Sequence, residues 1–144
     1  MSTALRLQPA TPLLAKHAAS DTLLPHGGGP NGDEPIFVAK GTAVFYNSYS
    51  MQRNKEVYGD DADVFRPERW DDDKLRPQYS YIPFGAGPRS CLGQQYGLSE
   101  ASYATVRIMQ NFRRIESRDP GPWREKLTAS LSSKNGTKVA LWRD

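Results

Sequence analysis

The sequence predicts an α+β fold with one long helix, short β-hairpins and much coil. Residues 94–112 carry apolar side chains at three- and four-residue steps, which is typical of one face of a helix about five turns long. Residues 36–47 alternate and are rich in β-branched and aromatic types, as strands are. The 11 prolines and 12 glycines, often clustered, divide the rest into short pieces. At 144 residues the chain can form one domain with a modest core.

The elements before the long helix are predicted to be short. Pro9 and Pro12 end the first of them, because proline cannot continue a helix. Residues 59–93 combine acidic runs with turn-forming residues and predict coil. The predicted elements are a helix over residues 2–7, a strand over 22–25, a loop over 25–35, two extended segments within 36–47 that turn at 40–41, and a helix over 48–58.

The tail after the long helix is predicted to be a β-hairpin. The sequence DPGP at 119–122 separates the tail from the helix. Asn135 followed by Gly136 is a strong turn signal, because both residues tolerate the left-handed backbone that tight hairpin turns need. We therefore expect residues 126–143 to fold back on this turn.

Charge and composition exclude several classes of protein. The formal charge of +3 is small and basic residues are mixed with acids, which indicates a solvated surface rather than a nucleic-acid footprint. The single cysteine excludes an internal disulfide, and His17, His26 and Cys91 are too dispersed for a zinc motif. No apolar run reaches the roughly 18 residues of a transmembrane helix. The first residues also lack the apolar stretch of a secretory signal.

A glycine-rich segment, GGGPNG at residues 27–32, has the spacing G-x-G-x-x-G. A dinucleotide-binding fingerprint needs a strand before it and a helix opening on it. Here a strand follows, and Pro30 and Pro35 stand where the helix would begin. The segment is therefore interpreted as a long turn that joins two strands.

The segment YIPFGAGPRSCLG, residues 81–93, holds the only cysteine and is named here the cysteine loop. A glycine-rich loop before a helix can bind an anion, and Arg89 could pair with it, although no Walker pattern follows. Alternatively, the helix start and Arg89 favour a Cys91 thiolate, with Gly87 and Gly93 leaving room for a flat cofactor. A buried, inert cysteine is the third alternative. Spacing alone does not choose between the last two.

Three segments resemble the cytochromes P-450, the haem-thiolate monooxygenases. FGAGPRSCLG at 84–93 is similar to their F-x-x-G-x-R-x-C-x-G haem-binding loop, FRPERW at 65–70 to the P-E-R segment before it, and ALRLQPATP at 4–12 to the end of the helix with the E-x-x-R motif. The segments occur in family order, and the similarity covers nearly the whole chain. Residues 24–49 and 87–112 look most like the fungal alkane and fatty-acid hydroxylase branch. The resemblance implies a partial cytochrome P-450 fold.

The resemblance also implies roles for the residues of the cysteine loop. Cys91 would be the iron ligand of haem b, and its thiolate would donate electron density that favours O–O cleavage. Arg89 would pair with a haem propionate, and Phe84 would pack beside the sulfur. Gly87 and Gly93 would let the backbone approach the thiolate and the porphyrin.

Outside the five fixed positions of this signature, three further residues receive implied roles. Leu92 and Leu98 would line the wall beside the ring, although ordinary core packing also explains Leu98. Lys16 stands where a second propionate-binding arginine is usual, and it keeps the charge without the planar fork.

The sequence departs from the family pattern at the buried charges. The glutamate of E-x-x-R would stand three residues before Arg6, where this chain has Thr3. Arg6 and the P-E-R arginine, Arg69, are therefore expected to face each other without their acid. Gln52 replaces a histidine that is common at that position.

The match implies that residues 1–144 are the C-terminal haem-binding part of a cytochrome P-450 domain whose N-terminal two-thirds, with the membrane anchor and the oxygen-activating helix, are absent. No catalytic residue is therefore assigned. The implied function is insertion of one oxygen atom into a C–H bond of an apolar substrate such as an alkane or fatty acid, with a reductase as partner. Relatives usually reside on the endoplasmic reticulum, and the compartment of this chain is left open. The alternatives are an inactive module that holds no haem and a weak anion-binding loop.

Overall fold

A computed structural model describes residues 1–143 and divides them into two compact units. The smaller unit is Leu13–Asn47, and the larger one combines Met1–Pro12 with residues 48–143. The units contain short helices and two-stranded antiparallel ladders. This mixture confirms the predicted α+β class. No helix within these 143 residues combines the length and apolar character that crossing a bilayer requires.

The smaller unit consists of two antiparallel strand pairs. Strand β1 (Leu13–His17) pairs with β4 (Ala43–Asn47), and β2 (Thr22–Gly28) pairs with β3 (Glu34–Val38). The last four residues of GGGPNG, 29–32, lie in the turn between β2 and β3, which confirms the predicted turn, whereas its first two glycines belong to β2.

Strand β2 is longer than the predicted strand over 22–25, and β3 begins at Glu34, so the predicted loop over 25–35 is wrong at both ends. The register with β3 shifts between Leu24 and Gly28, as in a β-bulge. Gly27 has a φ of +111°, and a Cβ at Gly28 would lie 2.8 Å from the Pro35 carbonyl oxygen. Glycine thus allows strand pairing to continue where the composition indicated coil.

The larger unit contains all four helices of the described chain and two more strand pairs. Strand β5 pairs with β8, and β6 pairs with β7. Short 3₁₀ turns lie between α3 and α4. The elements are α1 (Ser2–Leu7), α2 (Ser48–Met51), α3 (Lys55–Tyr58), α4 (Gln94–Asn111), β5 (Arg114–Ser117), β6 (Glu125–Leu127), β7 (Leu131–Ser133) and β8 (Val139–Trp142), with 3₁₀ turns at Pro67–Asp71, Gln78–Ser80 and Gly87–Arg89.

The helices confirm two predictions and correct one. Helices α1 and α4 have nearly the predicted bounds. The predicted helix over 48–58 is instead two helices, because the chain restarts at Asn54. The Asn54 side chain accepts the backbone N–H of Glu56 at 2.9 Å and so caps α3.

The predicted C-terminal hairpin on Asn135 and Gly136 is wrong. Gly136 does turn the chain, with a φ of +72°. However, the strands on either side of this turn belong to different ladders: β7 pairs back with β6, and β8 pairs with β5, with Leu141 opposite Ile115. The Asn-Gly signal predicts a local turn, whereas pairing depends on strands that lie further away in sequence.

The core of the larger unit is small and unusually polar. Its buried apolar side chains include Leu7, Tyr58, Ala62 and Ile82. Helix α4 contributes no buried residue. The buried polar or charged side chains are Thr3, Arg6, Ser48, Gln52 and Arg69.

Candidate functional site

Backbone hydrogen bonds hold the cysteine loop in a compact shape. The N–H of Gly85 donates to the Ile82 carbonyl at 3.0 Å, and the N–H of Ser90 donates to the Gly87 carbonyl at 3.0 Å. The N–H of Cys91 then donates to the Phe84 carbonyl at 2.9 Å and closes the loop. Gly85 and Gly87 have φ of +73° and +76°, a conformation that other residues rarely adopt. The glycines therefore shape the turns that carry Cys91.

The thiol of Cys91 is exposed and has open surroundings. It lies three residues before α4, which begins at Gln94 without a side-chain cap. A Cβ on Gly93 would lie 3.8 Å from the Cys91 Sγ, and a Cβ on Gly87 would meet no atom within 4 Å. The alternative of a buried, inert cysteine is wrong, because solvent reaches Cys91.

Six of the predicted site residues lie together in the cysteine loop, and Phe84 also faces two cavities of the larger unit. Phe84 is half-buried, whereas Arg89 and Leu92 are exposed. The cavities, of about 320 and 480 Å³, lie between α1 and the first half of α4. Leu5, Phe84 and Leu98 line both of them. Leu98 is only half-buried, so it is a wall residue of these cavities rather than a fully packed core residue.

One predicted site residue, Lys16, lies in the smaller unit. It is exposed on β1 and stands opposite Val44 of β4. Within that unit its side chain is available to solvent.

Buried side chains satisfy the carbonyl end of α1 and tie it to the start of the cysteine loop. Gln52 is fully buried, and its Nε2 donates to the carbonyls of Leu5 and Arg6 at 3.2 and 2.9 Å. Its Oε1 accepts the N–H of Ile82 at 3.0 Å. Arg53 donates to the Leu7 carbonyl. The last carbonyls of a helix lack partners within it, and here these side chains supply them.

Arg69 is buried in the core of the larger unit and has a carboxylate partner. Its guanidinium donates to Asp61 Oδ1 at 3.0 Å, to the Asp61 carbonyl at 2.8 Å and to the Tyr58 carbonyl. The hydrogen bond from Arg69 lowers the pKa of Asp61. The expectation that both arginines lack an acid is therefore wrong for Arg69. Sequence reasoning missed Asp61, although the acid run just before the P-E-R segment was a signal.

Within the described residues 1–143, Arg6 has no carboxylate among its contacts, as the sequence predicted. It is fully buried and donates to the carbonyls of Gln52 and Val64 at 2.8 and 3.4 Å. Its guanidinium carbon lies 4.6 Å from the centre of the Tyr58 ring, a cation–π contact. Burial and, secondarily, the charge of Arg69 lower the pKa of Arg6. Burial also raises the pKa of the Tyr58 phenol to about 12.

Comparison with known proteins gives a consistent result over almost the whole chain. Residues 4–140 match the family model described as Cytochrome P450. The chain is 51% identical over 137 residues to Cytochrome P450 monooxygenase himC of Aspergillus japonicus. The aligned region covers 95% of this chain and 24% of that protein. It is 56% identical over 139 residues to Cytochrome P450 52E1 of Candida apicola, covering 95% and 25% respectively. The chain thus spans about a quarter of the length of these relatives.

Proposed function

The chain belongs to the cytochrome P450 family, and on that premise we propose that residues 1–144 are the C-terminal haem-binding part of a haem-dependent monooxygenase. The Cys91 thiolate is the iron ligand in this proposal. The observation that carries it is the exposed Cys91 at the end of a loop that glycines and backbone hydrogen bonds hold in shape. Relatives named as monooxygenases support the reaction class.

The residues of the cysteine loop fit a flat, anionic cofactor. Solvent reaches the sulfur, and the position of a Cβ on Gly87 is open. Arg89 is exposed and makes no ion pair within residues 1–143, so its guanidinium is available for a propionate. Phe84 and Leu92 add apolar surface to the cysteine loop, and Leu92 is fully exposed.

Each residue then has a defined part in holding haem b. Cys91 would hold the iron and Arg89 one propionate. The role that the resemblance implies for Lys16 rests on its charge alone. Phe84 would shield the sulfur from water, while Gly87 and Gly93 would leave space for the ring. When bound, haem supplies the oxygen activation that inserts one oxygen atom into a C–H bond.

The substrate and the partner follow from the resemblance to the fungal hydroxylase branch. An apolar substrate such as an alkane or fatty acid, and a reductase that supplies electrons, are part of the proposal. Relatives named Cytochrome P450 52 from yeasts, at 44–56% identity, support the choice of branch. Neither the substrate nor the reductase is assigned to particular residues of this chain.

Carbon monoxide binding to the reduced, haem-loaded chain tests the iron ligand. We expect a strongly red-shifted Soret band, because a thiolate ligand donates electron density to the iron. Cys91→Ser should lose the band, and Ser90→Ala, which alters the exposed neighbour, should keep it. Failure of the chain to take up haem would contradict the proposal and favour a haem-free module. If the natural chain shows no red-shifted band but binds phosphate, and Cys91→Ser binds phosphate equally well, the anion-binding loop would be favoured.

A further inference from the structure

Two buried guanidinium groups in the larger unit have donors without acceptors. The side chains of Arg6 and Arg69 are 0% and 4% exposed. Their Nη atoms donate to backbone carbonyls and, for Arg69, to Asp61. The Nε atom of each is buried and has no hydrogen-bond partner. Buried donors are nearly always paired, so two in one cluster call for an acceptor.

The charges of this cluster also fail to balance. Arg69 pairs with Asp61, which also binds the more exposed Arg66 at 2.9 Å, and within residues 1–143 Arg6 has no carboxylate partner. The other nearby carboxylate, Asp63, is mostly exposed and pairs with Arg53 at 3.0 Å. Because an unpaired buried charge is costly, the cluster favours one additional negative charge.

The two arginines both contact Tyr58. Arg6 stacks on the Tyr58 ring, and Arg69 donates to the Tyr58 carbonyl. Thr3 is buried one helical turn before Arg6, and its hydroxyl accepts the indole N–H of Trp70 at 3.0 Å. A hydroxyl that accepts one hydrogen bond can still donate its own proton. Thr3, Arg6 and Arg69 are thus buried side chains, linked through Tyr58 and Trp70, that each have a donor still available.

We propose that Thr3, Arg6 and Arg69 bind one small monovalent anion, a halide or a one-carbon carboxylate such as formate. The two Nε–H groups donate to it, and its charge offsets the unpaired guanidinium. The proposed site is separate from the two described cavities, neither of which is lined by Thr3, Arg6 or Arg69. This inference is independent of haem binding, because it concerns residues outside the cysteine loop.

Urea unfolding at constant ionic strength tests the proposal, with chloride or formate replacing the bulky anion gluconate. An anion that binds only the folded chain lowers the unfolding equilibrium constant by about tenfold at ten times its dissociation constant. We expect a saturable rise in the urea midpoint. Equal midpoints in gluconate, chloride and formate would overturn the proposal.

Two variants separate this site from general salt effects. Thr3→Glu places a carboxylate one turn from Arg6, where it occupies the site in cis, so the midpoint should no longer depend on the anion. Arg76→Gln removes an exposed arginine and should keep the dependence of the natural chain. An identical anion dependence in Thr3→Glu and the natural chain would contradict the assignment.

Crystals grown in bromide provide a second readout that needs no variant. The proposal predicts an anomalous peak within hydrogen-bonding distance of both the Arg6 and Arg69 Nε atoms. Well-ordered arginines without such a peak would overturn it.

Discussion

The backbone N–H of Cys91 donates to the carbonyl oxygen of Phe84 at 2.9 Å, so the residue that would hold the iron is tied to the residue that would shield the sulfur. This bond closes a loop whose turns depend on glycines with positive φ. The thiol is therefore presented on a preformed scaffold. Preorganisation of this kind reduces the entropy lost when a cofactor binds.

Gly87→Ala tests whether the open space in the cysteine loop serves the cofactor. The φ of +76° makes alanine strained, at a cost of about 1 kcal/mol in stability. We also expect weaker haem binding, because the methyl group would enter the space beside the loop. Haem titration followed by absorbance, together with urea unfolding, measures both effects.

Gly136→Ala is the matched control for that experiment. Gly136 has a φ of +72°, and a Cβ there also meets no atom within 4 Å. It lies in the tail, outside the cysteine loop. The control should lose similar stability and keep its haem affinity; equal losses of affinity in both variants would refute a role for the Gly87 space.

Gln52→Leu should destabilise the larger unit by at least about 3 kcal/mol, because buried donors and acceptors left unpaired cost about 1–3 kcal/mol each. Leucine leaves the carbonyls of Leu5 and Arg6 and the N–H of Ile82 without their partner. Urea unfolding measures the loss. Gln110→Leu, on the exposed face of α4, should change stability by less than about 0.5 kcal/mol. Equal effects of the two substitutions would contradict the structural role of Gln52.

The Asp61–Arg69 ion pair predicts a loss of stability in acid. Arg69 lowers the pKa of Asp61 below its usual 3.8 in the folded chain. The contribution of Asp61 to the free energy of unfolding is therefore complete above its pKa in the unfolded chain. It is lost as the pH falls through its pKa in the folded chain. In Asp61→Asn, the urea midpoint should fall less steeply between about pH 4 and pH 2 than it does in the natural chain. Asp73→Asn, at an exposed position, should retain the natural slope.

Tyr58 predicts a loss of stability in alkali. Burial raises the pKa of the phenol from 10.0 to about 12 in the folded chain. The contribution of Tyr58 to the free energy of unfolding is complete below pH 10 and is lost as the pH rises toward 12. Tyr58→Phe should remove this dependence, and at neutral pH it should cost about 1 kcal/mol for the lost hydrogen bond to the Ser80 carbonyl. A variant whose midpoint falls as steeply as the natural one between pH 10 and 12 would contradict the account.

The fold was predictable where a local pattern determines the structure. Helix α4 follows from its apolar periodicity, and α1 ends near the prolines that stop it. The pairing of β8 with β5 was not predictable, because the Asn-Gly signal reports only a local turn. The continuation of β2 through Gly28 was missed because glycine composition indicates coil even where a bulge preserves pairing.

The candidate site shows the same division between local and non-local information. The resemblance of the cysteine loop to a haem-binding motif predicted roles for Phe84, Arg89 and Cys91 together, since they are close in sequence. The partners of Arg69 and Arg6 depend on tertiary contacts, so Asp61 and the Tyr58 ring were missed. Gln52 was noticed only as a departure from a family pattern. The structure shows that its side-chain amide forms hydrogen bonds with backbone groups.

Iron X-ray absorption on the ferric, haem-loaded chain tests the central claim most directly, because it identifies the atoms bound to the metal. We predict one sulfur scatterer in the first coordination shell of the natural chain and its loss in Cys91→Ser. A first shell of only nitrogen and oxygen atoms in the natural chain would contradict the assignment of Cys91 as the iron ligand.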